Sequence, residues 1–330
     1  MRIDRWPAEW EPHAATWLAW PHNPNTWPGR LEHAQREFVE FARTVAAFEP
    51  VRLLAGGAAR RQAEAALADL PNVTLHDVAT NDAWVRDYGP LFLARARCVN
   101  FRFNSWGEKY PPWDWDDAAA ARIAEIAGYE TRRMVVVLEG GAIEGSGAGD
   151  LLTTSRCVLS ASRNADMTRK RFESLMRETL GVERVHWLDR GGIPGDDTDG
   201  HIDQLARFVA PDTIVAAWCD NAREERFTEL AAMHDELADL RRADGAAFRI
   251  HKLPLPGPFS VNGQRVPASY CNFVFVNGGV IVPQFGDQAD ARAIRVLSEL
   301  LPGREVIGRP SRELAWGLGS FHCLSMQQPA

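Results

Sequence analysis

The stretch NFVFVNGGVIVPQFGDQADARAIRVLSELLPGREVIG, residues 272–308, holds one complete folding unit. Two apolar runs flank Asn277-Gly278, a dipeptide suited to a two-residue hairpin because both positions accept positive φ. Further on, Ala291, Ile294, Leu297 and Leu301 keep a spacing of three to four residues, which predicts an amphipathic helix over 287–301. REVIG, 304–308, then reads as a short strand. The unit is a strand pair, a helix and a third strand.

The same order recurs on both sides of this stretch. Turn-separated apolar pairs are predicted at 84–103, 139–160, 201–219 and 313–326, and a single N-terminal strand at 14–20. Helical spacing marks 30–48, 116–127, 167–180 and 222–240, with a shorter extra helix over 57–70. Short β-branched strands follow at 51–55, 132–138, 184–188 and 248–253. A repeat of this size predicts a closed ring of small α/β modules. Length alone, at about 150 residues per domain, would suggest two domains. Five modules of about 66 residues account for all 330, so one α/β domain over 1–330 is expected.

Composition narrows the function. The chain is 45 % apolar and 25 % charged, as globular proteins are. A net charge of −7 without any Lys/Arg block argues against nucleic acid or an anionic membrane as partner, and is compatible with a cationic substrate. The opening MRIDRWPAEWE has no apolar leader segment, and no apolar run nears the roughly 18 residues of a membrane span, so a cytoplasmic protein is expected. Cys98, Cys157, Cys219, Cys271 and Cys323 are odd in number, widely spaced and without a CxxC pair. They read as reduced thiols rather than disulfides or a cysteine zinc site.

Four motifs could carry chemistry. In DDTDGHID, 196–203, a strand beginning at His201 would put His201 and Asp203 on one face, a histidine tuned by a carboxylate for acid–base work. The bland alternative is a solvated acidic loop. A metal-ligand reading lacks any second His-rich motif. In NDAWVRDYGP, 81–90, Asp87 stands at a sheet end, or else is a turn carboxylate paired with Arg86. In VVVLEGG, 135–141, Glu139 leaves an apolar run for a glycine turn, and a buried carboxylate there needs a partner. In WGLGSFHCLSMQQP, 316–329, Cys323 follows a glycine-rich loop that lets a substrate come close, whereas the other four cysteines read as core thiols. Alternation turns His322 away from Cys323, so it reads as structural. In a closed ring these motifs meet at the hub. Three carboxylates, a histidine and a thiol suit a planar cation such as guanidinium. The chemistry predicted is a cysteine-dependent hydrolase of a cationic C–N bond.

WPAEWEPHAATWLAWPHNPNTW, WVRDYGP, FNSWG, LEGG, SRN, DDTDGHID, SYCNFVFVNGGVIVPQFGD and HCLSMQQP together resemble the agmatine deiminases. These belong to the guanidine-modifying superfamily of five-bladed α/β propeller (pentein) fold, with the bacterial peptidylarginine deiminases. The resemblance runs from Trp6 to Pro329. It implies that Cys323 attacks the guanidinium carbon, and that His201 protonates the departing ammonia and then activates water. It further implies that Asp87 and Asp203 grip the guanidinium nitrogens, that Glu139 orients His201 and contacts the substrate, and that Trp84 packs along the substrate chain. The position of Asp197 resembles the contact for the distal ammonium, with Asp here where the family has Glu. The loop Gly317-Leu318-Gly319-Ser320 likewise departs from the family's GGG-Asn. No metal or organic cofactor is implied. The partner implied is a small cationic guanidino substrate, in polyamine or nitrogen metabolism; a homodimer is an open option. The alternatives are a deiminase of peptidyl-arginine or free arginine, a non-enzymatic propeller, and a metal-dependent hydrolase centred on His201.

Overall fold

The computed structural model describes residues 5–261 and 263–330. Five modules share one plan: an antiparallel strand pair, a helix, and a third strand parallel to the second. The unit read first has strands Val274–Val276 and Gly279–Gln284, helix Asp290–Leu300 and strand Glu305–Pro310. Gly278 takes φ +79° in its hairpin turn, whereas Asn277 is not left-handed, so only the glycine uses the freedom that the dipeptide offers. Three other modules pair Leu91–Leu93 with Arg97–Arg102, Ile143–Gly145 with Asp150–Thr154, and Ala206–Ala210 with Thr213–Trp218. Their helices are Asp114–Ala127, Arg169–Leu180 and Arg226–Asp239. Gly128 and Gly181, both left-handed, end the first two, as helix C-termini favour.

The remaining module is built from both chain ends. Ser325–Pro329 runs antiparallel to His13–Ala19, which is parallel to Val51–Leu54. This corrects the strand pair expected at 313–326. That segment holds a short helix, Arg312–Ala315, then turns, and its one strand finds its partner at the N-terminus. The expected helix at 57–70 is Gly57–Leu67, which leads to a fourth strand, Val73–His76. Helix Leu31–Ala46 buries Ala34, Phe38, Phe41 and Val45, the predicted stripe. Among the described residues no helix is long and apolar enough to cross a membrane.

The strand pairs also begin later than expected. Each is preceded by a short helical turn: Val85–Tyr88, Gly140–Ala142, Ile202–Gln204, Tyr270–Asn272, and residues 321–324 before the last strand. The first four turns touch one another in succession. His322 N then donates to Asn272 O at 3.1 Å and Arg86 N to Cys323 O at 3.2 Å, which closes the circle. The hub of the ring is therefore made of turns, and the strand alternation expected from His201 and at 322–323 does not apply there; the strand after His201 starts only at Ala206.

Candidate active site

Four of the five hub turns deliver the expected side chains, within the turn or at the residue just before it. Cys323, Asp87, Glu139, His201 and Asp203 are all buried and lie together. Cys323 Sγ is 3.7 Å from Asp203 Oδ2, and His201 Nδ1 is 3.6 Å from Asp87 Oδ1. A cavity of about 660 Å³ opens onto Cys323, Asp87, Trp84 and Asp197, and His201, Asp203 and Glu139 are buried in the hub beside its Cys323 and Asp87 end.

Backbone amides and neighbouring side chains hold the carboxylates. Asp87 accepts from Gly141 N at 3.0 Å and from Trp106 Nε1 at 2.9 Å, and makes no bond to Arg86. Arg86 instead donates to Gln327 Oε1 and His322 O. Burial pushes the Asp87 carboxyl up to about 6, with the charge of His201 opposing and those of Asp203 and Glu139 adding. Asp203 behaves oppositely. Burial raises it, but the hydrogen bond and charge of His322, with His201 and Arg207, outweigh burial and hold the carboxyl below its usual range. His322 Nδ1 meets Asp203 Oδ2 at 2.8 Å and its Nε2 meets Glu9 Oε2 at 3.0 Å, a structural place consistent with the expectation for it. Asp203 Oδ1 is buried and has no hydrogen-bond partner among the described residues.

His201 stands at the start of its turn through local bonds. Thr198 Oγ1 accepts from His201 N at 3.1 Å, and Asp196 Oδ2 accepts from Gly200 N at 2.7 Å. Neither ring nitrogen is hydrogen-bonded among the described residues. Burial lowers the imidazole pKa, but the charges of Asp87, Cys157 and Glu139 overcome this and leave it well above its ordinary value. The Cys323 thiol is also pushed well up, first by burial and then by Asp203 and Asp87.

Sequence reasoning did not single out Arg163 or Trp106, although both lie in quoted motifs. Arg163 Nε donates to both oxygens of Glu139, at 2.8 and 3.0 Å, and its Nη1 reaches Asp199 Oδ2 at 2.7 Å. It clamps Glu139 to the 196–199 loop. Trp84 packs against Trp27, ring centroids 5.4 Å apart, but Trp106, Trp115 and Trp316 also line the cavity. Asp197 sits on the wall, and its Oδ2 accepts from Tyr110 Oη at 2.5 Å.

Two groups of side chains have metal-ligand chemistry: Glu139, Cys157 and His201, and Glu9, Glu144 and His322. Guanidinium groups already hold the carboxylates, Arg163 on Glu139 and Arg207 on Glu9 and Glu144. A divalent cation would meet that charge, so both sets fit ion-pair networks better than metal sites.

Gly141 faces the centre of the cluster. A Cβ there would lie 2.7 Å from Asp87 Oδ1, 2.7 Å from His201 Nδ1 and 3.0 Å from Asp203 Oδ2. Gly141→Ala is expected to displace all three and to lower kcat/KM by about 10²-fold or more, since small misplacement of reacting groups has that cost. Steady-state kinetics check it; an unimpaired variant would mean that these groups are not needed in this arrangement.

A ring of α/β modules with a thiol and paired carboxylates at its hub is the architecture of the guanidine-modifying hydrolases. The chain belongs to the Porphyromonas-type peptidyl-arginine deiminase family, which it matches over residues 5–329. The agmatine deiminase of Stutzerimonas stutzeri is 38 % identical to it, over 98 % of this chain and 95 % of that protein. A structure of C. jejuni agmatine deiminase, a cysteine-to-serine variant with substrate bound, superposes with a TM-score of 0.92 at 32 % identity. That match covers 99 % of this chain and 96 % of the other. DDAH from Pseudomonas aeruginosa, at 14 % identity and a TM-score of 0.55 over 96 % and 99 % of the two chains, shares the fold alone. The five-bladed pentein propeller is thus the fold of this chain.

Proposed function

We propose that this protein hydrolyses agmatine to N-carbamoylputrescine and ammonia through a thiouronium intermediate on Cys323. The observation that carries this is the buried, unpartnered Asp203 Oδ1 in a cluster where Asp203 Oδ2 is 3.7 Å from Cys323 Sγ. An orphaned buried acceptor is costly unless a ligand satisfies it, and a guanidinium N–H does so with charge.

Asp203 and Asp87 grip the guanidinium and hold its carbon against Sγ. The incoming positive charge offsets the two carboxylates that keep the thiol protonated, so the thiolate forms as substrate enters and its proton passes to solvent water. Sγ bonds to the central carbon. The C–N bond then breaks, and its electron pair leaves with nitrogen, which takes a proton from the His201 imidazolium and departs as ammonia. The neutral imidazole next takes a proton from water as the hydroxide bonds to the same carbon. Collapse returns the electron pair to sulfur, the hydroxyl proton passes to Sγ and restores the thiol, and the neutral ureido product is freed. Glu139, held by Arg163, orients His201.

The rest of the cavity selects the tail. Trp84 flanks the aliphatic chain and Asp197 faces the distal ammonium. No arginine lines the cavity among the described residues; Arg86 is buried elsewhere, and Arg102 is exposed on its strand and away from the wall. A free α-carboxylate therefore lacks the forked partner it prefers. Ammonia release is to be measured with agmatine, arginine and a blocked arginyl peptide. Agmatine is expected to show the highest kcat/KM, and equal or better turnover of either other compound would overturn the assignment. The reading takes residues 1–330 as one catalytic unit, acting in the cytoplasm on a diffusible substrate.

The acid limb of the pH profile follows from Asp87. It must be ionised to hold a guanidinium and its carboxyl is pushed up to about 6, so kcat/KM should fall below that pH by about tenfold per unit. His201, well above its ordinary value, stays protonated throughout this range and adds nothing to the limb. A profile flat down to pH about 4.5 would contradict this role for Asp87.

A further inference from the structure

Four hub turns supply the residues of the proposed reaction, and the fifth, Tyr270–Asn272, supplies none of them. Its last residue, Asn272, is fully buried and touches the reacting sulfur. The side-chain oxygen accepts from His322 N at 3.0 Å and from Cys323 N at 3.3 Å. Those two backbone donors fix which end of the amide is oxygen, because a nitrogen there could not accept them. The amide nitrogen is thereby aimed at Cys323 Sγ, 3.2 Å away.

We infer that Asn272 is a catalytic residue, a fixed N–H donor that stabilises the Cys323 thiolate both when it attacks and when it leaves. The inference rests on the reading of Cys323 as nucleophile. Its logic is that of an oxyanion donor turned toward sulfur. Negative charge appears on Sγ only once the proton is lost and again as the intermediate collapses, so a preorganised donor favours those states over the resting thiol. The surroundings otherwise oppose the thiolate, since burial, Asp203 and Asp87 all raise the thiol pKa, while Asn272 and the Ser320 backbone lower it. The substrate's charge is present only until the guanidinium has been converted to the neutral ureido group. Asn272 acts at every stage. The same amide also positions the nucleophile by holding the 322–323 backbone, so donor and scaffold are one side chain.

The test uses Asn272→Asp, which keeps an acceptor for both backbone amides but replaces the donor to sulfur with an oxygen. We expect kcat to fall about 10²- to 10³-fold, the range for losing one preorganised donor, with KM within about threefold. Alkylation of Cys323 by iodoacetamide at pH 9, followed by peptide mapping, should slow about tenfold in step with the lost thiolate. Asn272→Ala, introduced into a Cys323→Ser background, controls for folding and binding: agmatine Kd should match that of Cys323→Ser alone. Wild-type alkylation rates in Asn272→Asp, or a tenfold weaker Kd in the double variant, would overturn the role and leave a scaffold residue only. Full activity in Cys323→Ser itself would instead remove the reading beneath it, and the two failures are distinct.

Discussion

Cys323→Ser is expected to lower kcat by roughly 10⁴-fold or more while leaving agmatine Kd within a few-fold. The argument lies in what surrounds Sγ. The atom is buried and faces two carboxylates, an environment that already raises the thiol pKa well above its usual value. A serine hydroxyl starts several units higher, and the charge of one bound guanidinium cannot bring it into range. The grip on substrate does not depend on sulfur. Asp87 keeps its bonds from Gly141 N and Trp106 Nε1, and Asp203 keeps His322. Serine is close in volume to cysteine, so the melting temperature should barely move. Calorimetric titration and ammonia release check both halves; turnover at a wild-type rate would exclude covalent catalysis.

His201→Asn carries the second large effect. One imidazole gives a proton to the departing nitrogen and takes one from water, so its loss should cost about 10³-fold in kcat, within the range for general acid–base groups. KM should change little, since both aspartates remain. The structure adds an expectation about stability. No described residue hydrogen-bonds either ring nitrogen, and the imidazolium is retained against burial by the charges of Asp87, Cys157 and Glu139. A histidine whose pKa is raised in the fold contributes stability below that pKa, because its charge offsets the buried Asp87, Asp203 and Glu139. Its removal should therefore lower the melting temperature modestly near neutral pH, as thermal unfolding would show. A large loss of stability with proportionate loss of activity would mark His201 as a structural residue instead.

The parts of the fold legible in sequence are those with enough length for a period. Sixteen residues of Leu31–Ala46 repeat an apolar face four times, and the hairpin at Asn277-Gly278 is marked by its turn chemistry. The hub turns were opaque for the opposite reason: three or four residues, as in Ile202–Gln204, are too few to show any period. Strand alternation was therefore carried into segments that are not strands. It still grouped His201 with Asp203, but it set His322 apart from Cys323, whereas both side chains approach Asp203 Oδ2. The pairing of Ser325–Pro329 with His13–Ala19 joins the two ends of the chain, which no local pattern encodes.

The site was legible wherever a residue type is unusual for its surroundings. Asp87, Glu139, His201, Asp203 and Cys323 stand beside apolar runs or glycines, and the ring brings them together. Arg163 was hidden because an arginine on a turn is ordinary until Glu139 is seen beneath it. Trp106 was hidden because a tryptophan reads as core until its Nε1 is seen on Asp87. Asn272 was hidden in the very stretch that reveals the fold, where an amide before an apolar strand reads as a turn residue. The departures from the family pattern also find places. Leu318 adopts φ +71° where the family has glycine, a backbone state that glycine takes more easily, and Asp197 reaches the wall with Tyr110 as its partner.

The most direct measurement is the mass of the intact protein after acid quenching during agmatine turnover, with the modified peptide located by fragmentation. The account predicts an adduct equal to the substrate less one ammonia, attached to Cys323 and absent from Cys323→Ser. Unmodified protein throughout turnover, with ammonia still released by Cys323→Ser, would contradict it.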